Sequence, residues 1–77
     1  MTKVHTKRIC SGYYETVNTS PVAYISKNSD DENWTVSFER TVSVWKSKKE
    51  CMGLIECVSD NVDDFDEEDR IIITKGV

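Results

Sequence analysis

The sequence predicts an α+β fold: a small, mainly antiparallel four-stranded sheet in the chain order β-β-β-α-β, with one helix packed on one face. Four segments are rich in β-branched and aromatic residues: residues 7–17, 22–27, 34–44 and 70–74. Before the last of them, residues 47–59 carry apolar side chains at helical spacing. A chain of 77 residues is long enough for one domain, which we assign to residues 1–77.

The first two strands flank a turn at residues 18–21, where Asn and Ser offer side-chain oxygens to the backbone and Pro21 has no amide proton for a ladder. Gly12, in the middle of the first strand, indicates a bulge or a close approach of another backbone. The polar residues 28–33 predict a hairpin between the second and third strands. Residues 1–6 precede the first strand, and we expect them to fray.

The third strand shows the clearest alternation of apolar and polar side chains. Trp34, Val36 and Phe38 share one face, and the same parity continues to Val44. We therefore expect the core-facing side to persist to about Val44. An unbroken run of this length would be long for so small a domain, which predicts a bend or bulge near residues 40–41.

A capping box marks the start of the helix, because Ser47 can accept an amide proton of the first turn while Glu50 reaches back. The apolar stripe behind it comprises Cys51, Leu54, Ile55 and Val58. Gly53 weakens the helix by ~1 kcal/mol relative to Ala, and a glycine at this place indicates close packing. The helix should end near Ser59. The isoleucines of residues 71–73 then predict a strand that is buried on both faces or closes the sheet beneath the helix.

Charge is distributed unevenly along the chain. The net charge is −4, but residues 1–49 carry +3 and residues 50–77 carry −7. Seven of the ten residues from 60 to 69 are acidic, and we call this segment the acidic connection. Carboxylates spaced on a loop can imitate nucleic-acid phosphates and occupy a basic groove of a partner protein. The residues predicted to bind such a partner are Asp60, Asp63, Asp64, Phe65, Asp66, Glu67, Glu68 and Asp69.

Two interpretations of the acidic connection remain open. In the first, Phe65 is an aromatic anchor at the centre of the partner contact. In the second, the segment is a solvated loop and Phe65 packs back on the core. A calcium loop is not predicted, because it needs a glycine at its sixth position and a glutamate at its twelfth. Counted from Asp60, those positions hold Phe65 and Ile71.

A second hypothesis is a small nucleic-acid-binding module, since exposed aromatic rings stack on bases and lysines bind phosphates. Its candidate residues are Tyr13, Tyr14, Trp45, Lys46, Lys48 and Lys49. Trp45 has the parity opposite to Trp34 and Phe38, which predicts the outer face of the sheet; alternatively it caps the core at the helix junction. The acidic total charge disfavours nucleic acid as a partner. A third hypothesis is a dimerising structural protein that pairs through an edge strand at residues 71–74.

The sequence predicts no enzyme, no metal site and no cofactor. His5 is the one histidine and lies in the segment expected to fray, and no glycine-rich phosphate loop occurs in the sequence. Cys51 lies on the apolar stripe of the helix, whereas Cys57 lies off it and is expected to be exposed. The cysteines show no paired spacing, which predicts free thiols in a cytoplasmic protein. The sequence shows neither an apolar leader nor a long apolar stretch, so we expect no membrane contact.

The layout resembles small bacteriophage-encoded accessory proteins, in which a short sheet precedes one helix that opens with a Ser-Lys-Lys-Glu-like segment. The resemblance is carried by residues 12–14, the Trp34 strand and residues 47–52. Such proteins include anti-CRISPR proteins and inhibitors of host polymerases or nucleases. The resemblance implies a non-enzymatic inhibitor or adaptor that binds a larger host protein with a basic surface in the host cytoplasm. No functional residue is carried over from it.

Overall fold

The computed structural model describes residues 3–74. In chain order its elements are β1 (Thr6–Cys10), β2 (Tyr13–Thr16), β3 (Thr19–Ser20), β4 (Tyr24–Lys27), β5 (Trp34–Phe38), β6 (Thr41–Trp45), α1 (Lys48–Asp60), two 3₁₀ turns (Val62–Asp64 and Glu67–Asp69) and β7 (Ile72–Ile73). Five strands form an antiparallel sheet in the order β1-β2-β4-β5-β6, and β3 pairs with β7 in a separate two-stranded sheet. The predicted α+β class with one helix is confirmed.

The main sheet has more strands than the sequence predicts, because two predicted strands are hairpins. Residues 7–17 fold back at Ser11 and Gly12, and residues 34–44 fold back at Glu39 and Arg40. The bend expected near residues 40–41 is thus a complete reversal. Glu39 occupies the left-handed region with φ 50°, a conformation that glycine or asparagine usually signals and glutamate does not.

The reversal at Glu39 changes which residues of β6 face the core. Residues paired directly across two strands point to the same face, and Trp34 pairs with Trp45 while Thr35 pairs with Val44. Trp45 therefore lies on the inner face with Trp34, and the predicted outward position is wrong. The expectation that the core side persists to Val44 is also wrong, since Val42 and Val44 are 68% and 55% exposed on the outer face.

Gly12 lies in the β1–β2 turn with φ 74°, and its carbonyl accepts a hydrogen bond from the Lys27 amide at 2.7 Å. A Cβ at Gly12 would lie 3.4 Å from the Lys27 Cβ, so the predicted close approach of another backbone is confirmed. The bulge of this hairpin lies elsewhere, between Arg8 and Cys10 of β1.

The helix begins as the capping box predicts and lies across the inner face of the sheet. Ser47 Oγ accepts a hydrogen bond from the Glu50 amide at 3.1 Å, and Glu50 Oε2 accepts one from the Lys46 amide at 3.0 Å. Of the predicted stripe, Cys51, Ile55 and Val58 are buried and Leu54 is half-buried. The core they complete also contains Val4, Ala23, Ile25, Val36, Phe38 and Ile71.

Gly53 differs from its prediction, because it is exposed and a Cβ built on it would meet no atom within 4 Å. Close packing therefore does not explain the glycine at this position.

Asn18 ties the N-terminal segment and the C-terminal strand to the same place in the fold. It is buried; its Oδ1 accepts from the His5 amide at 2.8 Å, and its Nδ2 donates to the Lys3 carbonyl at 2.9 Å. Its own carbonyl accepts from the Thr74 amide at 2.6 Å. Val4 is buried, and the backbone of Lys3 and His5 is bonded to Asn18, so residues 3–6 are attached to the fold where fraying was expected. Residues 1–2 lie outside the described part of the chain.

The last strand is shorter than predicted and does not join the main sheet. Only Ile72 and Ile73 form β7, which pairs with Thr19 and Ser20 of β3. Ile71 is fully buried, but Ile72 is 52% exposed. The apolar run of residues 71–73 therefore contributes the buried side chain of Ile71, the partly buried Ile73 and a short two-stranded closure, rather than a strand buried on both faces.

Candidate functional site: the acidic connection

The acidic connection is an ordered turn structure that continues from the end of α1. Asn61 Nδ2 donates to the Cys57 carbonyl at 2.8 Å, which satisfies one of the last helix carbonyls. Each 3₁₀ turn then has its own backbone bonds: the Asp64 amide donates to the Asn61 carbonyl at 3.0 Å, and the Asp69 amide to the Asp66 carbonyl at 2.9 Å. The backbone of this charged segment is therefore fixed locally, turn by turn.

Two contacts attach the acidic connection to the body of the protein, and a third closes its C-terminal half. The Phe65 ring is half-buried and packs against the core. The guanidinium of Arg70 donates from Nε to the Phe65 carbonyl at 2.8 Å, and Thr41 Oγ1 donates to Asp69 Oδ1 at 3.1 Å. Together with the buried Ile71, these contacts hold both ends and the middle of the segment.

The ring position of Phe65 agrees with the interpretation in which it packs back on the core. Asp69 also has an internal contact, through Thr41, and is half-buried. Glu68 pairs with Arg40 at 3.1 Å, with both side chains largely in solvent. An exposed pair of this kind contributes little to stability.

Five other carboxylates of the acidic connection point into solvent. Within residues 3–74 they make no ion pair and no side-chain hydrogen bond; they are Asp60, Asp63, Asp64, Asp66 and Glu67. They lie within residues 60–67, whose backbone contains one 3₁₀ turn and the start of another, so five negative charges are concentrated in one short segment. Among the described residues, no group of three His, Cys, Asp or Glu side chains is placed to hold a metal ion.

The residues of the nucleic-acid hypothesis are divided between the two faces of the sheet. Tyr13 stacks on Tyr24 on the outer face, with ring centroids 6.0 Å apart. Tyr14 lies on the inner face with the Lys48 ammonium 3.9 Å from its ring centroid, a cation–π contact. Trp45 is half-buried on the inner face. These rings do not form one stacking platform.

The lysines at the start of α1 lie apart from the outer tyrosines. Lys48 and Lys49 line a groove of about 610 Å³ with Lys3 and Glu56. Lys46 is exposed at the end of β6 and is not part of that lining.

A second groove, of about 410 Å³, lies between β6, α1 and the acidic connection. Thr41, Val42 and Ser43 contribute the sheet side, while Phe65 and Asp69 contribute the acidic connection. Sequence reasoning missed this part of the site because it treated residues 34–44 as one strand. The signal that was present is the pair of charged residues Glu39 and Arg40, which interrupts the apolar alternation where the chain reverses.

Comparisons with protein-family models, with curated proteins and with solved structures found no match to this chain. The resemblance to bacteriophage accessory proteins therefore stays a prediction. No helix among residues 3–74 has the length and apolar composition that crossing a bilayer requires.

Proposed function

We propose that this chain is a small non-enzymatic binding protein whose acidic connection engages a basic surface of a larger host protein, as an inhibitor or adaptor. One observation carries the proposal: five solvent-exposed carboxylates, unpaired within the described residues, lie on a segment that is anchored at both ends. Such a segment can fill a groove that otherwise holds nucleic-acid phosphates.

The anchoring matters because a flexible acidic tail would lose conformational entropy on binding. Here two 3₁₀ turns and the Phe65 and Asp69 contacts already restrict the backbone. Complementary charge raises the association rate and selects basic partners, and salt screens both effects. We therefore expect the association to be fast and to weaken as the ionic strength rises.

The test is affinity capture from a host lysate with a variant that neutralises four acids, Asp63→Asn, Asp64→Asn, Asp66→Asn and Glu67→Gln. The matched control removes the same charge elsewhere: Asp30→Asn, Asp31→Asn, Glu32→Gln and Glu39→Gln. The wild type and the control should capture the same partner, and short duplex DNA should release it. The first variant should not capture it, although its circular dichroism and unfolding midpoint match those of the control. Equal capture by both variants would refute the proposal.

A further inference from the structure

The two edges of the main sheet differ in how well they are protected against further pairing. β1 carries Lys7 and Arg8 and is interrupted by the bulge before Cys10. Charges and bulges are devices that keep sheet edges from pairing with other chains. β6, from Thr41 to Trp45, has neither: it carries no charge and stays in register with β5 over all five residues.

The backbone of β6 has an open side. Within the part of the chain that the structure describes, β6 pairs with β5 alone. Phe38 and Thr41 are the pair that closes the two-residue turn, and hydrogen-bonded and non-bonded pairs alternate along an antiparallel ladder. Val42 and Val44 are therefore the residues whose N–H and C=O groups point away from β5. Val42 and Val44 are also the most exposed valines of the sheet, so both their backbone groups and their side chains are accessible to an added strand.

Carboxylates lie at both ends of this open edge. At the turn end, Glu68 Oε2 is 3.1 Å from Arg40 Nη1, and Asp69 Oδ1 is 3.1 Å from Thr41 Oγ1. At the other end, Glu50 Oε2 accepts from the Lys46 amide. The groove between β6 and the acidic connection adds an apolar wall beside the edge. An added strand would thus meet valines along its middle and an excess of negative charge at the turn end, where Glu68, Asp69 and Glu39 outnumber Arg40; at the other end Lys46 offsets Glu50.

A second copy of this chain fits the edge poorly. In a two-fold pairing of β6 with itself centred on Ser43, Val42 meets Val44 of the other copy, but Arg40 faces Lys46 at both ends. Like charges placed opposite each other destabilise a pair of strands. Each copy also carries a net charge of −4, so association brings like charges together. The occupant that fits is a different chain with positive charge.

We propose that β6 accepts an extended segment of the partner as a sixth strand, with its β-branched side chains on Val42 and Val44 and a lysine or arginine beside Glu68 and Asp69. This mode of recognition adds main-chain hydrogen bonds to the electrostatic attraction. The inference rests on the proposed function, because the same partner contacts the acidic connection.

The test uses two peptides of equal length and charge, each of roughly eight residues, with alternating Thr and Val and with lysines only at the end that meets Glu68 and Asp69. One has an ordinary backbone, and the other is N-methylated at its four central residues, so that neither of its edges can donate main-chain hydrogen bonds there. The ordinary peptide should bind about tenfold more tightly, because each main-chain hydrogen bond contributes modestly and two or more are lost. It should also protect the amides of Val42 and Val44 from hydrogen exchange.

A pair of variants tests the edge itself. Val44→Pro removes a backbone N–H that points away from β5 and leaves the hydrogen bonds to β5 in place. Val44→Thr keeps that backbone N–H and has a side chain of similar shape. The proline variant should lose the tenfold preference between the peptides, whereas the threonine variant should keep it. Equal unfolding midpoints would show that the fold is retained; if the proline variant is destabilised, the exchange data on the wild type decide.

The outcomes separate this inference from the proposed function. Equal affinity for both peptides, lost when the acidic connection is neutralised, would overturn the added strand and leave the acidic surface in place. Tighter binding of the ordinary peptide that survives neutralisation of Asp63, Asp64, Asp66 and Glu67 would support the added strand, and loss or retention of lysate capture by the same variant would decide the proposed function separately. Protection of Val42 and Val44 without peptide, together with a dimer in sedimentation, would make a second copy the occupant and would overturn the inference.

Discussion

Gly53→Ala should stabilise the protein. Gly53 is the sixth residue of the helix Lys48–Asp60, it is exposed, and a Cβ placed on it has open space around it. Glycine in a helix interior costs about 0.8–1.0 kcal/mol relative to Ala, mainly because the unfolded chain has more freedom to lose. With no steric cost to subtract, we expect the free energy of unfolding to rise by about 0.8–1.0 kcal/mol. For a domain of this size, that corresponds to a rise in Tm of about 4–8 °C.

Gly12→Ala is the matched control and should have the opposite sign. Gly12 has φ 74°, where an L side chain costs about 1–2 kcal/mol, and the new Cβ would lie 3.4 Å from the Lys27 Cβ. The turn has little freedom to relax, since the Gly12 carbonyl is bonded to the Lys27 amide at 2.7 Å. We expect the free energy of unfolding to fall by about 1–2 kcal/mol.

Urea unfolding followed by tryptophan fluorescence measures both variants, with an unchanged m-value as the condition for comparing midpoints. A Gly53→Ala variant that is as stable as the wild type, or less stable, would refute the predicted gain. A gain in stability for both variants would show that loss of unfolded-state entropy outweighs the left-handed conformation at Gly12.

Two further predictions concern buried polar groups and thiols. Asn18→Ala should lower the free energy of unfolding by about 1–3 kcal/mol in urea titrations, because two side-chain hydrogen bonds are lost at a buried site. The control is Asn33→Ala, whose side chain makes no such bond within the described residues and which should change the free energy of unfolding by about 0.5 kcal/mol or less. Equal effects of the two substitutions would contradict the role of Asn18. Iodoacetamide at neutral pH should modify the exposed Cys10 and Cys57 first and Cys51 only on unfolding. The reason is that burial, and to a smaller extent the negative charge of Glu50, raise the pKa of the Cys51 thiol to about 11. Three adducts that appear at one rate in intact-mass spectra would show that the helix does not shield Cys51.

The helix was predictable from sequence because its signals are local. Ser47 and Glu50 identify its start, and the spacing of Cys51, Ile55 and Val58 identifies its buried side. The class of the fold follows from this helix and from the strand-forming composition around it. Neither inference depends on knowing how distant segments meet.

The two hairpins were missed for different reasons. Ser11 and Gly12 are usual turn residues, but Gly12 was interpreted as a bulge or close approach within one strand. Glu39, in contrast, adopts a positive φ that a glutamate does not signal. One overlooked reversal changed the parity of β6, so Trp45 moved to the core side and Val42 and Val44 to the outside. Alternation predicts faces only as far as the next turn.

For the candidate site, composition located the acidic connection but not its attachments. The contacts of Asp69 with Thr41 and of Glu68 with Arg40 join residues 28 positions apart, which no local pattern reveals. The same holds for the groove beside β6, which exists because the acidic connection returns to the strand that follows the Glu39 turn.

The contacts of Asn18 affect how the protein opens. The amides of His5 and Thr74 come from opposite ends of the described chain, yet both donate to this one residue. Separation of the C-terminal strand exposes the buried carbonyl of Asn18, and departure of the N-terminal segment exposes its side chain. The two ends should therefore detach as one cooperative unit in hydrogen exchange, and a partner that pulls on either end would loosen both.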